Sequence, residues 1–574
     1  MALPEQAVSP GRFEKSYQAQ LSQLKQEQAI SKIWAHQPEL WKRDSDHARV
    51  IGNRLGWIAV LDAMQAQAPA IEEFVRGVIA AGLRNIVLLG MGGSSLAPEV
   101  YSLIFPPAAD GRKFFVLDST DPGAVLQVER AIHLRESLFI TASKSGATIE
   151  TLSQTLYFQA RLEHSGAGPS GGHFIAITDT GSYLDQLSTE YGFRHTFLNP
   201  SDIGGRYSAL SLFGLVPAAL WGADIRGVLN SAIEMRDACG PQAPAESNPA
   251  LALGALLGAS ALEGADKLIL LTTPRLAPLG NWIEQLVAES TGKEGKGIVP
   301  VAGEIAPPME VMSEGCVVAA LRLDGENSAA LVATVGALRA RGVPIAEIHL
   351  RRETDLGAEF FKWELATAIA GAVLQIDPFD EPNVAESKSN TSRILNEFQS
   401  TQSLPIGKPL VTESGLEVHF EGGGQRGLTI LGLAELLRAF LGDRAPGEYL
   451  AVLAYLPRTP ETQGRLNALR ELLGSKLKVP VLLGYGPRYM HSIGQLYKGG
   501  PATGRFLFLT AANTKDVSIP GAKYTFGQLE MAQALGDLES LGKRGRPVLR
   551  LHLAEGEQAG LEAVWRVMEQ ALGL

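Results

Sequence analysis

Short apolar runs that each close on a turn constrain this chain more than any other feature. NIVLLG (85–90), KFFVLD (113–118), SLFITA (137–142) and HFIAIT (173–178) follow one another, with helix-period segments such as Thr148 to Leu162 between them. Strands that alternate with helices imply βαβ units and a parallel sheet with right-handed crossovers. The pattern restarts with KLILLT (267–272), a helical stretch at 281–289, CVVAALRL (316–323), IAEIHL (345–350) and a long apolar helix over 357–375. It restarts again after the polar stretch 386–404, with YLAVLAYL (449–456), VPVLLGY (479–485), RFLFLT (505–510) and PVLRLHL (547–553). The expected fold class is α/β, with two parallel-sheet sandwich domains and a third, C-terminal α/β domain. The expected boundaries are an N-terminal helical segment at 1–55, a first domain at 56–245, a second at 246–395 and a third at 405–574.

Composition agrees with several buried cores. Of 574 residues, 45% are apolar and 20% charged, which excludes a disordered chain, a collagen and a coiled-coil rod. A net charge of −10 argues against bulk contact with a nucleic-acid backbone and leaves room for a local pocket for one small anion. Two cysteines, Cys239 and Cys316, exclude a disulfide framework or a Cys-rich metal site and fit a reducing compartment. The first twenty residues lack the apolar core of a signal peptide, and no run of about 18 apolar residues suggests a membrane span. The expectation is a soluble, cytoplasmic protein.

Ligands of open parallel sheets sit beyond the carboxyl ends of the strands, so the loops there are where chemistry is expected. After the first strand comes Gly90-Met91-Gly92-Gly93-Ser94-Ser95, whose glycines allow backbone N–H groups to approach an anion and whose Ser94 is expected to open a helix. The same residues also suit a plain strand-to-helix turn, and the spacing is neither a dinucleotide fingerprint nor a P-loop. After the third strand, Ser143, Lys144, Ser145 and Thr148 place three hydroxyls and an ammonium at the start of a helix. Free N–H groups and the positive dipole end favour a phosphate there, and capping accounts for only one of the hydroxyls. Gly205 and Arg206 combine a close backbone approach with a fixed charge, although on these residues alone a turn with a surface Arg is the favoured reading. Glu289 falls at a helix end just before Gly292, where the dipole raises a carboxylate's pKa; a general base and a solvated surface Glu both fit.

Taken together, GMGGSSLAP (90–98), SKSGATIET (143–151), GGRYSALSLFGLVPA (204–218), AESTGKEGKG (288–297) and PFDEPNVAESKSN (378–390) resemble the phosphoglucose isomerase family in five blocks. The wording, including RLGWI (54–58), is most similar to the isomerase half of bacterial transaldolase–isomerase fusions, and no transaldolase half is recognised. The resemblance implies sugar-isomerase (SIS) type domains, reversible conversion of glucose 6-phosphate to fructose 6-phosphate, and no metal or redox cofactor. It implies a homodimer, and it leaves association with a transaldolase open. Another phosphosugar isomerase, acting also on mannose 6-phosphate, and a non-catalytic sugar-phosphate sensor are the alternatives.

The resemblance also implies roles. Ser143, Lys144, Ser145 and Thr148 correspond to the phosphate cradle, and Gly93 and Ser94 to substrate contacts. Arg206, with Gly205 beside it, corresponds to the cation that stabilises an enediolate. Glu289 corresponds to the base that moves a proton between C1 and C2, and Lys388 to a Lys near the ring oxygen. Two departures stand out. Glu381 occupies a position where the family usually has Gln, and it is either repulsive toward an anionic substrate or protonated. The family's ring-opening His follows the catalytic Glu closely, whereas residues 298–345 contain no His. Its pattern reappears as His491-Ser492-Ile493-Gly494-Gln495, in the third domain. His491 reads as the ring-opening acid/base, acting within its own chain or across a dimer, or else as an ordinary loop His.

Overall fold

The computed structural model of the protein describes residues 3–166, 169–303, 306–421, 432–442, 444–445, 447–513 and 515–574. The chain divides into two compact units. One comprises Met1–Asp118, Glu129–Ala306 and Met312–Glu381, and the other Ser119–Val128, Pro307–Val311 and Pro382–Leu574.

The first unit begins with a strand, β1 (Glu5–Ser9), that sequence reading does not anticipate. It then holds a five-stranded parallel sheet of β2 (Asn85–Gly90), β3 (Lys113–Leu117), β4 (Ser137–Ala142), β5 (Phe174–Asp179) and β6 (His195–Asn199), in the order β3-β2-β4-β5-β6. Every residue of β2 and β4 is buried, as a parallel sheet covered on both faces requires. Phe139 of β4 stacks on Phe158 at 4.7 Å and on Phe174 at 5.0 Å, which fastens the helix Ile149–His164 to the sheet. The strand order reverses between β2 and β4, so the loops after them flank a crevice where open sheets bind ligands.

A second sheet contains β7 (Lys267–Thr272), β8 (Val299–Val301), β9 (Cys316–Leu323) and β10 (Ile345–Leu350), in the order β1-β10-β9-β7-β8. It is parallel except for β1, which runs antiparallel to β10. The helix Leu356–Leu374 is buried along nearly its whole length, which explains an apolar run with no polar stripe. Its neighbours pass so close that glycine is required. A Cβ on Gly357 would lie 1.9 Å from the Val228 carbonyl oxygen, in the helix Ile225–Cys239. The helix ends where Gln375 turns left-handed at φ 54°, and the chain then passes Pro378 into the segment that builds the site.

The second unit, by itself, holds β11 (Val411–Glu413), β12 (Leu416–Glu421), β13 (Tyr449–Tyr455), β14 (Val481–Tyr485), β15 (Gly504–Ala511) and β16 (Val548–Leu553). Their order is β11-β12-β16-β15-β13-β14. The last four strands are parallel, and β12 joins β16 antiparallel. The fold class is α/β as expected, with an antiparallel edge on two of the three sheets. Among the described residues, no helix is long and apolar enough to cross a membrane.

Close helix packing at Gly357 makes a specific prediction. Gly357→Ala should lower the apparent Tm by several degrees, because overpacking costs about 1–3 kcal/mol. Gly77→Ala, in the helix Val60–Ala80, should leave Tm unchanged or raise it, since a Cβ there meets nothing within 4 Å. Thermal unfolding of both variants checks the pair, and equal effects would show that the helix crossing does not matter.

Candidate active site

Arg206 sits in the turn Gly205–Tyr207 and is 3% exposed. Its Nε donates to Ser290 Oγ at 2.8 Å, and Nη2 donates to the carbonyls of Pro378 at 2.8 Å and Asp380 at 2.9 Å. Nη1 donates to Glu381 Oε2 at 3.2 Å and lies 3.7 Å from Glu289 Oε2. A guanidinium held in four directions cannot swing, so its charge is fixed in space. Trp57 stacks on Tyr207 at 5.4 Å, and the Tyr207 hydroxyl meets Ser290 Oγ at 3.2 Å, which supports the turn from behind.

Glu289 lies in the last turn of the helix Ala277–Thr291 and is 8% exposed. Its carboxyl is pushed up to about 7. Burial is the largest cause, and the negative charge of Glu381 adds to it, while Arg206, Lys293 and a hydrogen bond from Gln285 oppose it. The helix-end position proposed from sequence is therefore a lesser matter than desolvation. A carboxylate that titrates near neutrality beside a fixed cation suits proton transfer. Glu381 is half-exposed and pairs with Arg206, so its charge is met by a guanidinium. Lys293 is buried and donates to the carbonyls of Asp377 and Asp380, both at 2.5 Å, and burial draws its ammonium down to about 8. Sequence reading singled out neither Lys293 nor Ser290 nor Tyr207, although all three lie within the blocks it quoted.

Gly93 is brought directly against the Arg206 turn. A Cβ on Gly93 would lie 2.1 Å from the Gly205 carbonyl oxygen, so only glycine allows these two backbones to meet. Ser208 Oγ donates to the Gly93 carbonyl at 3.3 Å. Ser94 does not open the helix as expected. The helix Leu96–Ile104 starts two residues later, with Ser95 at its N-cap, and Ser94 ends a short 3₁₀ turn.

The hydroxyl-rich loop leaves β4 beside the Gly90 loop of β2, since Gly90 pairs with Ala142. Thr148 occupies the N-cap position of the helix Ile149–His164 without capping it. Its Oγ1 instead meets Ser143 Oγ at 2.8 Å, and Ser143 Oγ also accepts from Gly146 N at 3.1 Å. The hydroxyls of Ser143 and Thr148 are thus linked to each other, and Thr148 does not cap the helix end. Ser145 is exposed. Lys144 donates to Asp179 Oδ2 at 2.5 Å and to the Ser201 carbonyl at 2.8 Å, so its ammonium is held toward the edge of the loop.

Lys388 and His491 belong to the second unit. Lys388 is exposed on the helix Val384–Thr401, and His491 ends the 3₁₀ turn Arg488–His491. Their two motifs meet. Gln495 Oε1 accepts from Asn383 N at 2.9 Å, and Gln495 Nε2 donates to Asn383 Oδ1 at 2.8 Å. Behind them Asp537 collects Ser387 Oγ at 3.0 Å, Tyr489 OH at 2.6 Å and Lys498 Nζ at 2.6 Å.

Residues 56–301 match the family model described as phosphoglucose isomerase. A probable glucose-6-phosphate isomerase of Haloarcula marismortui is 28% identical over 385 residues, which is 61% of this chain and 86% of the relative. The glucose-6-phosphate isomerase of Methanocaldococcus jannaschii is 28% identical over 350 residues, 55% of this chain and 85% of the relative. Among solved structures, a hypothetical protein of Thermus thermophilus superposes with a TM-score of 0.57 at 25% identity, covering 68% of this chain and 99% of that one. A glucose-6-phosphate isomerase from Chlamydia trachomatis shares the fold, with a TM-score of 0.54, 19% identity, and coverage of 68% and 87%. Glu289, Arg206, the glycine loop and the hydroxyl-rich loop all fall inside the matched span. Through residues 56–301, this chain is similar to the phosphoglucose isomerase family.

Proposed function

We propose that this protein interconverts glucose 6-phosphate and fructose 6-phosphate by ring opening and proton transfer through a cis-enediol(ate). The observation that carries the reading is the Glu289 carboxylate 3.7 Å from a fully buried Arg206 guanidinium. A base between two adjacent carbons moves a proton from C2 to C1, and the oxygen that becomes negative needs a cation already in place. Arg206 answers that need without reorganising. The substrate's phosphate binds at the 143–148 loop, where the open helix end and the hydroxyls donate to it, and this remote binding positions the reacting carbons. Gly93 and Ser94 contact the sugar from the neighbouring loop. Glu381 holds Arg206 from the solvent side, in the place of an amide.

In this reading His491 opens the sugar ring and Lys388 assists at the ring oxygen. The protein acts as a homodimer, and a separate transaldolase is a candidate partner. The whole requires no cofactor.

Glu289→Gln keeps shape and removes the base. Turnover should fall about 10²–10⁴-fold with KM changed little. A variant that retains parental turnover would remove Glu289 from the mechanism.

The acidity of Glu289 yields a second expectation with two readouts. kcat/KM should decline on the acid side with an apparent pKa of about 7, as the base becomes protonated. Its folded pKa lies above the unfolded value of 4.5, so the native state binds the proton more tightly and stability is lost as pH rises through that window. Glu289→Gln should therefore raise Tm relative to the parent at pH 8 and much less at pH 5. An equal difference at both pH values would contradict the assignment.

The contribution of His491 is read by mixing subunits. His491→Ala and Glu289→Gln should each be nearly inactive alone. Recovered isomerase activity on co-refolding them shows His491 acting across a dimer, whereas no recovery from confirmed mixed dimers shows it acting within one chain. A His491→Ala protein as fast as the parent removes it from the reaction.

A further inference from the structure

Three side chains that the isomerase chemistry does not use converge where the segment after the helix Leu356–Leu374 passes the helix Ser45–Gly52. His47 Nδ1 faces the Asp44 carboxylate, 2.8 Å from Oδ1 and 2.9 Å from Oδ2. That contact orients the imidazole and turns Nε2 away from Asp44. Nε2 lies 3.9 Å from Asp380 Oδ2. Asp377 is fully buried. Its Oδ1 accepts from Phe379 N at 2.8 Å, while its Oδ2 has no hydrogen-bond partner among the described residues.

One ligand atom from each of His47, Asp377 and Asp380 can be chosen so that all lie within 4.8 Å of one another. Bonds of about 2.0–2.2 Å in a tetrahedral site place ligands roughly 3.4 Å apart, so small side-chain shifts close the group around an ion. Lys293 reaches the group from one side: its ammonium lies 2.6 Å from Asp380 Oδ1 and 2.5 Å from the Asp377 carbonyl, and Asp377 Oδ2 keeps no hydrogen-bond partner among the described residues. A buried carboxylate oxygen without a donor is costly, and a cation is the group that would satisfy it.

We propose that His47, Asp377 and Asp380 form a binding site for a divalent transition-metal ion of zinc-like character, with Asp44 orienting the imidazole. One imidazole nitrogen and two carboxylates suit zinc or cobalt, and the set is too small and too nitrogenous for calcium or magnesium. A carboxylate behind a metal-binding imidazole is the usual outer partner of such a site. The ion would tie the helix Ser45–Gly52 to the 377–381 segment, whose Pro378 and Asp380 carbonyls hold Arg206. Its role is to fix the frame of the guanidinium, and it takes no part in proton transfer.

Calorimetric titration of the chelator-treated full chain with Zn²⁺ tests the proposal. One ion per chain is expected, with at least 10-fold weaker binding in His47→Ala and in Asp377→Asn, and 10–100-fold weaker binding in Asp44→Asn. Mg²⁺ at the same concentration should not compete. Co²⁺ added to the parent should give a d–d absorption characteristic of mixed nitrogen and oxygen ligands, a readout that requires no variant to fold. Absence of stoichiometric Zn²⁺ binding would overturn the site, as would variants that bind as tightly as the parent, or a cobalt spectrum without nitrogen ligation. Because the readout is ion binding, failure here leaves the isomerase reading untouched, and a failed isomerase assay leaves the ion site standing.

Discussion

A buried guanidinium organises this protein. Arg206 cannot lose its charge and has almost no contact with water, so every donor it carries must be met by protein. Ser290 comes from the helix that follows β7, the carbonyls of Pro378 and Asp380 come from the segment after the long buried helix, and Glu381 closes the solvent side. Removing one partner of such an arrangement typically costs about 3–5 kcal/mol, because a charge is left buried without a counterpart. The first and second sheets are therefore joined around one cation, and the site exists only when both are folded.

The same arrangement sets the acidity of Glu289. Burial raises this carboxyl, Arg206 and Lys293 oppose the rise, and the balance leaves it at about 7. Glu381 pushes the other way, so this carboxylate tunes the base upward as well as binding the cation. Glu381 meets the guanidinium of Arg206 directly, with Oε2 3.2 Å from Nη1.

Much of the fold was legible because buried parallel strands write themselves as apolar runs. β2, β4, β5, β7, β9, β10, β13 and β15 all coincide with such runs. Of the strands that escaped, β12 alternates apolar and polar residues, and the others were short or at an edge. β8 has three residues, and β1, β6 and β11 lie at sheet margins with exposed positions, so they carry no continuous apolar signal. In the site, Glu289, Arg206 and Gly93 were legible as members of motif blocks. The bonds from Arg206 to Pro378 and Asp380 were not, because they use backbone carbonyls, which any residue type supplies. His47 carried no signal at all, since its neighbours Asp377 and Asp380 lie more than three hundred residues away.

What the sequence determined by itself is the α/β layering and the chemical repertoire: which residues are acidic, cationic or small enough to allow backbones to meet. Local periodicity and residue type suffice for that, because both depend on neighbours a few positions apart. Only the tertiary structure decided which of those groups share a low-dielectric space. Burial of Glu289, the satisfaction of Arg206 and the pairing of Asn383 with Gln495 each join segments from 83 to over a hundred residues apart. Such proximity is created by the packing of sheets and helices, and desolvation, which then sets the acidities, has no counterpart in the linear chain.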